Sequence, residues 1–257
     1  MNSNVPKYNL ILGAKAIIEA IQSGEAISKI FIDRVARSDS RRELLRLARQ
    51  QQLPYSQVPI EKLNKLAPQR HQGAIAWTSP VTWASLNHVI TATYEQGKLP
   101  WVVLLDQVTD VRNVGAIART AVSVGIDALV MPTQGSALIS HDTHKASAGT
   151  LEHLPICRVG HLSGAVQYLQ ASGLQVVACH AAAATSLYEA QLHLPLALIL
   201  GNEEQGVSKE LIDRADQQIA IPMPGQVDSL NVSVAAAVIL YEIFRQRQRV
   251  HAYTPGC

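Results

Sequence analysis

The residues whose types and spacing suit ligand chemistry fall in three short blocks of the second half of the chain. The first, NVGAIARTA, carries Asn113 and Arg119. The second, LILGNEEQGVS, carries Gly201, Glu203 and Gly206. The third, IPMPGQVDSLNVSVAAA, carries Ser229, Leu230, Asn231 and Ser233 after Ile221. Each block follows or contains an apolar run that suits a buried strand, and then breaks at glycine, proline or a polar loop. In parallel α/β sheets ligands bind at the carboxyl ends of the strands, so these breaks are where a site is expected. Taken alone, Asn113 reads as a helix cap. Arg119 lies among Ala116, Ile117, Ala118 and Ala121, and an arginine on so apolar a helix is expected to be partly buried and paired. Glu203, beside Glu204, reads by itself as a solvated loop acid.

Several common chemistries do not fit. Gly201 to Gly206 has the glycine spacing of a phosphate-binding loop, but Val207-Ser208 stands where lysine and serine or threonine belong. No GxGxxG and no GxSxG occurs. With two Phe in the whole chain, an aromatic RNA-stacking sheet is excluded. Cys157, Cys179 and Cys257 are widely spaced, form no CxxC, and suit a reducing compartment. The nine histidines make no metal-binding cluster, and His141 and His144 read as loop residues, so no metal is expected.

The elements that must position these residues follow from periodicity. Trp101–Asp106, Ala128–Met131, Ile156–Val159, Gln175–Cys179, Leu196–Leu200 and Ile219–Ile221 read as strands. Asn113–Val124, His141–Ala148, Leu162–Ser172 and a long segment from Ser229–Asn231 to Arg249 read as helices. Alternation of the two predicts a parallel sheet covered on both faces. Ahead of it, Gly13–Ser23, Ser40 to the Gln50 region and Ile60–Leu66 read as helices, and Lys29–Val35, Tyr55–Val58 and Gly73–Trp77 as strands. Ser40 and Glu43 match a capping box. The expected organisation is a small αβ domain over 1–79, a linker over 80–98 and a larger α/β domain over 99–257. No internal repeat is present.

Charge divides along the same line. Residues 1–79 carry 12 Lys and Arg against 6 Asp and Glu, a net of +6, and residues 80–257 carry 10 against 14, a net of −4. A basic first domain is expected to grip a polyanion. Arg42, Arg46 and Arg49 fall on one helical face opposite Leu44, Leu45 and Leu47, with Arg34, Arg37 and Arg41 nearby. No apolar run reaches membrane-spanning length, and the N-terminus has no apolar signal core, so a cytoplasmic location is expected.

The three blocks, in order over residues 99–250, resemble the signature motifs of the SpoU family, also called TrmH, of S-adenosylmethionine-dependent RNA ribose 2′-O-methyltransferases. GAKAIIEAIQSGEAISKIFI and RHQGAIAW resemble the small RNA-binding domain of bacterial 23S rRNA guanosine methyltransferases of the RlmB type. The resemblance implies a SPOUT-type fold with a C-terminal trefoil knot and a homodimer with the site near the subunit interface. It also implies S-adenosylmethionine held by backbone groups at Gly201, Ile221 and Leu230. Arg119 would address the target ribose or phosphate, fixed by Asn113, Glu203, Ser229 and Asn231. The alternatives are a tRNA ribose methyltransferase and a non-catalytic RNA- or ribosome-binding protein.

Overall fold

The computed structural model describes residues 10–35, 38–51, 53–68, 70–79, 81–139, 141–225 and 229–252. Arg37, Pro80 and Cys257 lie outside them. The chain forms two compact units, one of Met1–Thr82 with Leu138–Lys145, the other of Trp83–Ala137 with Ala146–Cys257.

The first unit is built on a four-stranded sheet of β1 (Leu10–Leu12), β2 (Ile27–Asp33), β3 (Tyr55–Val58) and β4 (Ala74–Thr78), ordered β1-β4-β2-β3. β4 runs antiparallel to β1 and β2, and β3 parallel to β2. Helices α1 (Ala14–Gln22) and α2 (Asp39–Gln50) bury Ile17, Leu44 and Ala48 against Ile30 and Ile32. Helix α3 (Ile60–Leu66) buries Leu63 against Phe31 and Ile75, the alternate residues of the same strands. Both faces of β2 are therefore covered, so it is buried almost throughout rather than half-buried as its alternation predicts. β1 has no counterpart among the sequence expectations.

Two local expectations fail here. Helix α2 starts at Asp39 after Ser38, and neither Ser38 nor a Ser40–Glu43 box caps it with a side chain. Arg41 turns inward: it is 8% exposed, lies 3.6 Å from Asp33 and donates from Nη2 to the Gln72 carbonyl at 2.7 Å. That contact fixes the residue type at 73. Gly73 has φ +75°, and a Cβ there would stand 1.5 Å from Arg41 Nη2. The Gly73 amide donates to His71 Nδ1 at 3.0 Å, while His71 Nε2 meets Asn64 Oδ1 at 2.9 Å. Ser28 Oγ donates to the Ile139 carbonyl at 3.0 Å and so ties 138–145 into this unit.

The second unit holds a seven-stranded, wholly parallel sheet, ordered β11-β9-β10-β6-β7-β8-β5. Its strands are β5 (Trp83–Ala84), β6 (Trp101–Leu105), β7 (Ala128–Pro132), β8 (Ile156–Val159), β9 (Gln175–Cys179), β10 (Leu196–Leu200) and β11 (Gln217–Ile219). β6 and β10 lie side by side near the centre and are buried at every residue, as uninterrupted apolar runs require. The helices are α4 (Leu86–Glu95), α5 (Val111–Val124), α6 (His141–Ala146), α7 (Leu162–Ala171), α8 (Lys209–Arg214) and α9 (Val232–Ala252), with α6 lying largely in the first unit.

The stretch 80–98, expected as a linker, instead carries β5 and α4. Strand β5 pairs with β8, and α4 is capped by Ser85 and buries Leu86, Ile90 and Thr93. Only those few positions form its inner face, which is why its helical pattern is faint. Strand β11 ends at Ile219 where the sequence pattern has a strand begin. The two glutamines before it carry the ladder at the sheet edge, and the apolar Ile221 beyond it faces a cavity instead. No helix of the described residues is long and apolar enough to cross a membrane.

Candidate active site

The carboxyl ends of β6 and β10, with the entry to α9, assemble the candidate site. After Leu200 the chain turns sharply on itself. A Cβ on Gly201 would lie 1.9 Å from the Gly206 carbonyl carbon, so only glycine fits there. Asn202 holds the turn closed: its Oδ1 accepts from the Glu204 and Gln205 amides at 3.0 and 2.6 Å, and its carbonyl accepts from Gly206 N at 3.0 Å. Asp106, at the end of β6 and 6% exposed, accepts from Ser208 N at 2.7 Å through Oδ2. Sequence reading saw Asp106 only as a strand terminus. Its signal was a carboxylate directly behind an apolar run.

Helix α5 is capped by Asp110, whose Oδ1 accepts from Arg112 N at 2.8 Å. Paired with the Arg112 guanidinium, the Asp110 carboxyl is held below its usual range. Asn113 is thereby released from the capping role its sequence suggests and turns toward the loop. Asn113 Nδ2 donates to Glu203 Oε1 at 2.9 Å, and Asn231 Nδ2 donates to Asn113 Oδ1 at 3.2 Å and also to Glu203 Oε1. Asn231 Oδ1 meanwhile caps α9, accepting from Ser233 N at 2.9 Å and Oγ at 2.6 Å. Three residues from three segments, the outer two 118 positions apart, thus close one network. Glu203 is a partnered carboxylate in it rather than a solvated acid. Ser229 lies at the rim, exposed, and among the described residues no hydrogen bond joins it to the network.

Two cavities flank the loop. The first, of about 370 Å³, is lined by Gly201, Ile221, Ser229 and Leu230 together with Leu200, Met223 and Ala235. Among the described residues no hydrogen bond engages the backbone of Ile221 or Leu230, which leaves their amides and carbonyls open to a ligand. Cys179 and His180 complete this wall, and burial pushes the Cys179 thiol up to about 11. The second cavity, of about 410 Å³, is lined by Gln107, Thr109, Asp110, Asn113 and Gly135. Residues 202–205 and Val232 line both, so the loop is their common wall. Among the described residues no group of three His, Cys, Asp or Glu is placed to hold a metal.

Arg119 departs from its expectation. It is exposed, lines neither cavity, and has no hydrogen bond or ion pair among the described residues. Six residues along a helix rotate about 240°, so Arg119 points well away from Asn113. The small apolar neighbours that suggested burial, Ala118 and Ala121, lie on the inner face with Val114, Ile117 and Val124, and Arg119 does not. One turn on, Ser123 Oγ meets Tyr241 Oη of α9 at 3.5 Å; Tyr241 is 53% exposed and Val234 49%.

On the first unit Arg42, Arg46 and Arg49 are all exposed on one face of α2, as predicted. Arg42 meets Asp39, Arg46 donates to Gln50 Oε1 at 3.4 Å, and Arg49 donates to the Tyr55 hydroxyl at 3.1 Å. Those contacts are local and exposed, so the charges stay available to a polyanion.

Comparison with known proteins gives a concordant result. Residues 100–241 match the family model described as the SpoU rRNA Methylase family, and residues 10–84 the one described as RNA 2′-O ribose methyltransferase substrate binding. A protein of Staphylococcus haemolyticus named for TrmH family tRNA/rRNA methyltransferases is 37% identical over 94% of this chain and 97% of its own length. The crystal structure of the SpoU methyltransferase AviRb from Streptomyces viridochromogenes, in complex with the cofactor AdoMet, covers 93% of this chain and 90% of that one, with TM-score 0.60 and 25% identity. A TrmH/SpoU tRNA modifying enzyme of A. aeolicus, 31% identical with TM-score 0.56, covers 65% of this chain and 88% of its own.

Proposed function

Because this chain belongs to the SpoU rRNA methylase family, we propose that it transfers the methyl group of S-adenosylmethionine to a ribose 2′-hydroxyl of RNA. The observation that carries the reading is the Asn113–Glu203–Asn231 network set in the common wall of two cavities. The first cavity fits the cofactor. Leu200, Ile221, Leu230 and Ala235 offer apolar surface to a purine, and the open backbone of Ile221 and Leu230 suits its nitrogens. Gly201 keeps the turn tight enough to leave that space. When bound, S-adenosylmethionine supplies a methyl on a sulfonium, which needs no covalent help from the protein.

The protein's task is then to place the hydroxyl oxygen in line with that methyl and to let its proton leave. Asn113 and Asn231 hold Glu203 by one oxygen, Oε1, and leave Oε2 free to accept from the 2′-hydroxyl. Arginine stays protonated and is a poor base, so Arg119 orients the ribose or its phosphate. Arg119 is exposed one helical turn before Ser123, which meets the exposed Tyr241 of α9, and this supports a homodimer in which Arg119 reaches the site of the second copy. The pairing of Ala220 with Thr185, Ser186 and Leu187 is consistent with the trefoil knot that the family resemblance implies.

We propose a guanosine of large-subunit rRNA as the substrate on the resemblance of the first domain to the RlmB type; the match of residues 10–84 to a substrate-binding module and the basic α2 face support RNA as the partner. The reaction belongs in the cytoplasm, where that RNA is made. The test is a map of 2′-O-methyl groups in total RNA with and without the gene. Loss of one methyl from 23S rRNA is expected. Loss from tRNA instead would select the tRNA reading, and no loss, with no binding of S-adenosylmethionine, would leave a non-catalytic RNA-binding protein.

A further inference from the structure

The second cavity has a lining that the methyl-transfer reading does not use. Asp110, Glu203 and Glu204 are its carboxylates, Gln107, Asn113 and Gln205 among its amides, and among the described residues no lysine or arginine lines it. A phosphate is disfavoured there by like charge. What such a wall accepts is a neutral group rich in hydrogen-bond donors.

The three carboxylates are not equivalent. Asp110 is occupied by Arg112 through both oxygens. Glu203 is held through Oε1 by Asn113 and Asn231, and its Oε2 is already assigned to the 2′-hydroxyl. The Glu204 carboxylate has no partner among the described residues, although its own backbone is held firmly by Asn202. Its main chain is thus fixed in the loop, and its exposed carboxylate offers two acceptor oxygens. The same loop also walls the first cavity, so a nucleotide whose ribose meets Glu203 has this lining within reach of its base.

We propose that this cavity takes the base of the target nucleotide and that Glu204 reads the paired donors of guanine, N1–H and N2–H₂. The inference rests on the proposed methyl transfer. Guanine alone among the four bases places two adjacent donors on its pairing edge, matching the two oxygens of one carboxylate. Adenine and cytosine set an acceptor beside their amino group, and uracil flanks its single donor with two carbonyls. Each of these brings an acceptor against the Glu204 oxygens. The amide of Gln107 or Gln205 can donate to guanine O6 from the same lining.

The experiment uses the full chain, S-adenosylmethionine and a synthetic RNA containing the mapped methylation site, with guanosine, inosine or adenosine at the target. Inosine keeps N1–H and lacks the N2 amino group. Wild-type protein is expected to favour guanosine over inosine by roughly 10- to 100-fold in kcat/KM, the scale of one charge-assisted hydrogen bond, and over adenosine by more. Glu204→Gln should lose about the same factor on guanosine and lose little on inosine, so that the ratio falls toward one. Its affinity for S-adenosylmethionine should stay within a few-fold of wild type. An unchanged guanosine-to-inosine ratio overturns the proposal. So does an equal loss of cofactor affinity, which would make Glu204 a cofactor residue, or a mapped site that is not a guanosine. If wild-type protein methylates no RNA at all, the methyl-transfer reading fails first and this proposal falls with it.

Discussion

At the residue scale, the candidate site depends on side chains whose roles are set by what occupies their neighbours. Asn113 is free to meet Glu203 because Asp110 already caps α5, and Asn231 serves α9 and Glu203 with different atoms. Asn231→Ala should therefore cost about 1 kcal/mol of stability from the lost cap and should lower methyl transfer well beyond what that loss explains. Denaturant unfolding alongside single-turnover rates separates the two effects. Arg119 has no hydrogen bond or ion pair among the described residues and lines neither cavity, so Arg119→Ala should leave S-adenosylmethionine affinity within a few-fold and cut methyl transfer by roughly 10²-fold or more. If Arg119 serves the other copy, mixing Arg119→Ala chains with Asn231→Ala chains should restore activity toward about a quarter of wild type. Half of the dimers are then mixed, and one of their two sites is intact. Each single variant alone is expected to stay far below that level, so a mixture that shows no gain would place Arg119 and Asn231 in the same chain's site.

At the scale of elements, the turn after β10 and the outer face of α2 carry separate tasks. The turn has no room at Gly201, where an added Cβ meets backbone rather than a movable side chain. Gly201→Ala is expected to destabilise the fold by about 1–3 kcal/mol and to weaken S-adenosylmethionine binding at least tenfold, read by calorimetry on folded protein. The α2 face is a matter of charge. Arg42, Arg46 and Arg49 are exposed and only locally paired, whereas Arg41 is committed to Asp33 and Gln72. Changing the three outer arginines together to Gln should flatten the slope of log affinity for RNA against log salt by up to about 3, one phosphate contact contributing roughly 0.7–0.9. An unaltered slope would mean that RNA is gripped elsewhere.

At the scale of the whole molecule, residues 1–79 carry a net +6 and residues 80–257 a net −4, and the proposed reading has the first bind RNA and the second transfer the methyl group. A fragment 80–257 should bind S-adenosylmethionine and should bind RNA weakly and with little salt dependence. That cut also strips Leu138–Lys145 of the unit it clusters with, including the Ser28–Ile139 hydrogen bond. The arginine variants of the intact chain are thus the cleaner form of the test. For assembly, Val234 and Tyr241 of α9 expose apolar surface, and Tyr241 meets Ser123, one helical turn beyond Arg119. Sedimentation at micromolar concentration should report about twice 27.9 kDa, and a clean monomer would remove the second copy from the mechanism.

What the amino-acid sequence determined by itself was whatever local rules control. The apolar runs at Trp101–Leu105 and Leu196–Leu200 are buried strands because nothing but a double-sided sheet accommodates them. The glycines and prolines after them had to mark strand ends and a ligand site, and the charge imbalance needed no coordinates. The tertiary structure decided everything that turns on competition for partners across distance. Arg41, adjacent in sequence to three exposed arginines' helix face, is drawn inward by Asp33 and the Gln72 carbonyl, which only the folded sheet brings near. Arg119 is left outside because the inner face of its helix falls to Val114, Ile117, Ala118, Ala121 and Val124. The faint 80–98 pattern becomes β5 and α4 because β8 offers an open edge. Glu203 changes from a loop acid to the centre of a network because residues 90 positions before it and 28 after it arrive at the same turn. Hydrogen bonds and burial are pairwise, and a linear pattern records only one member of each pair.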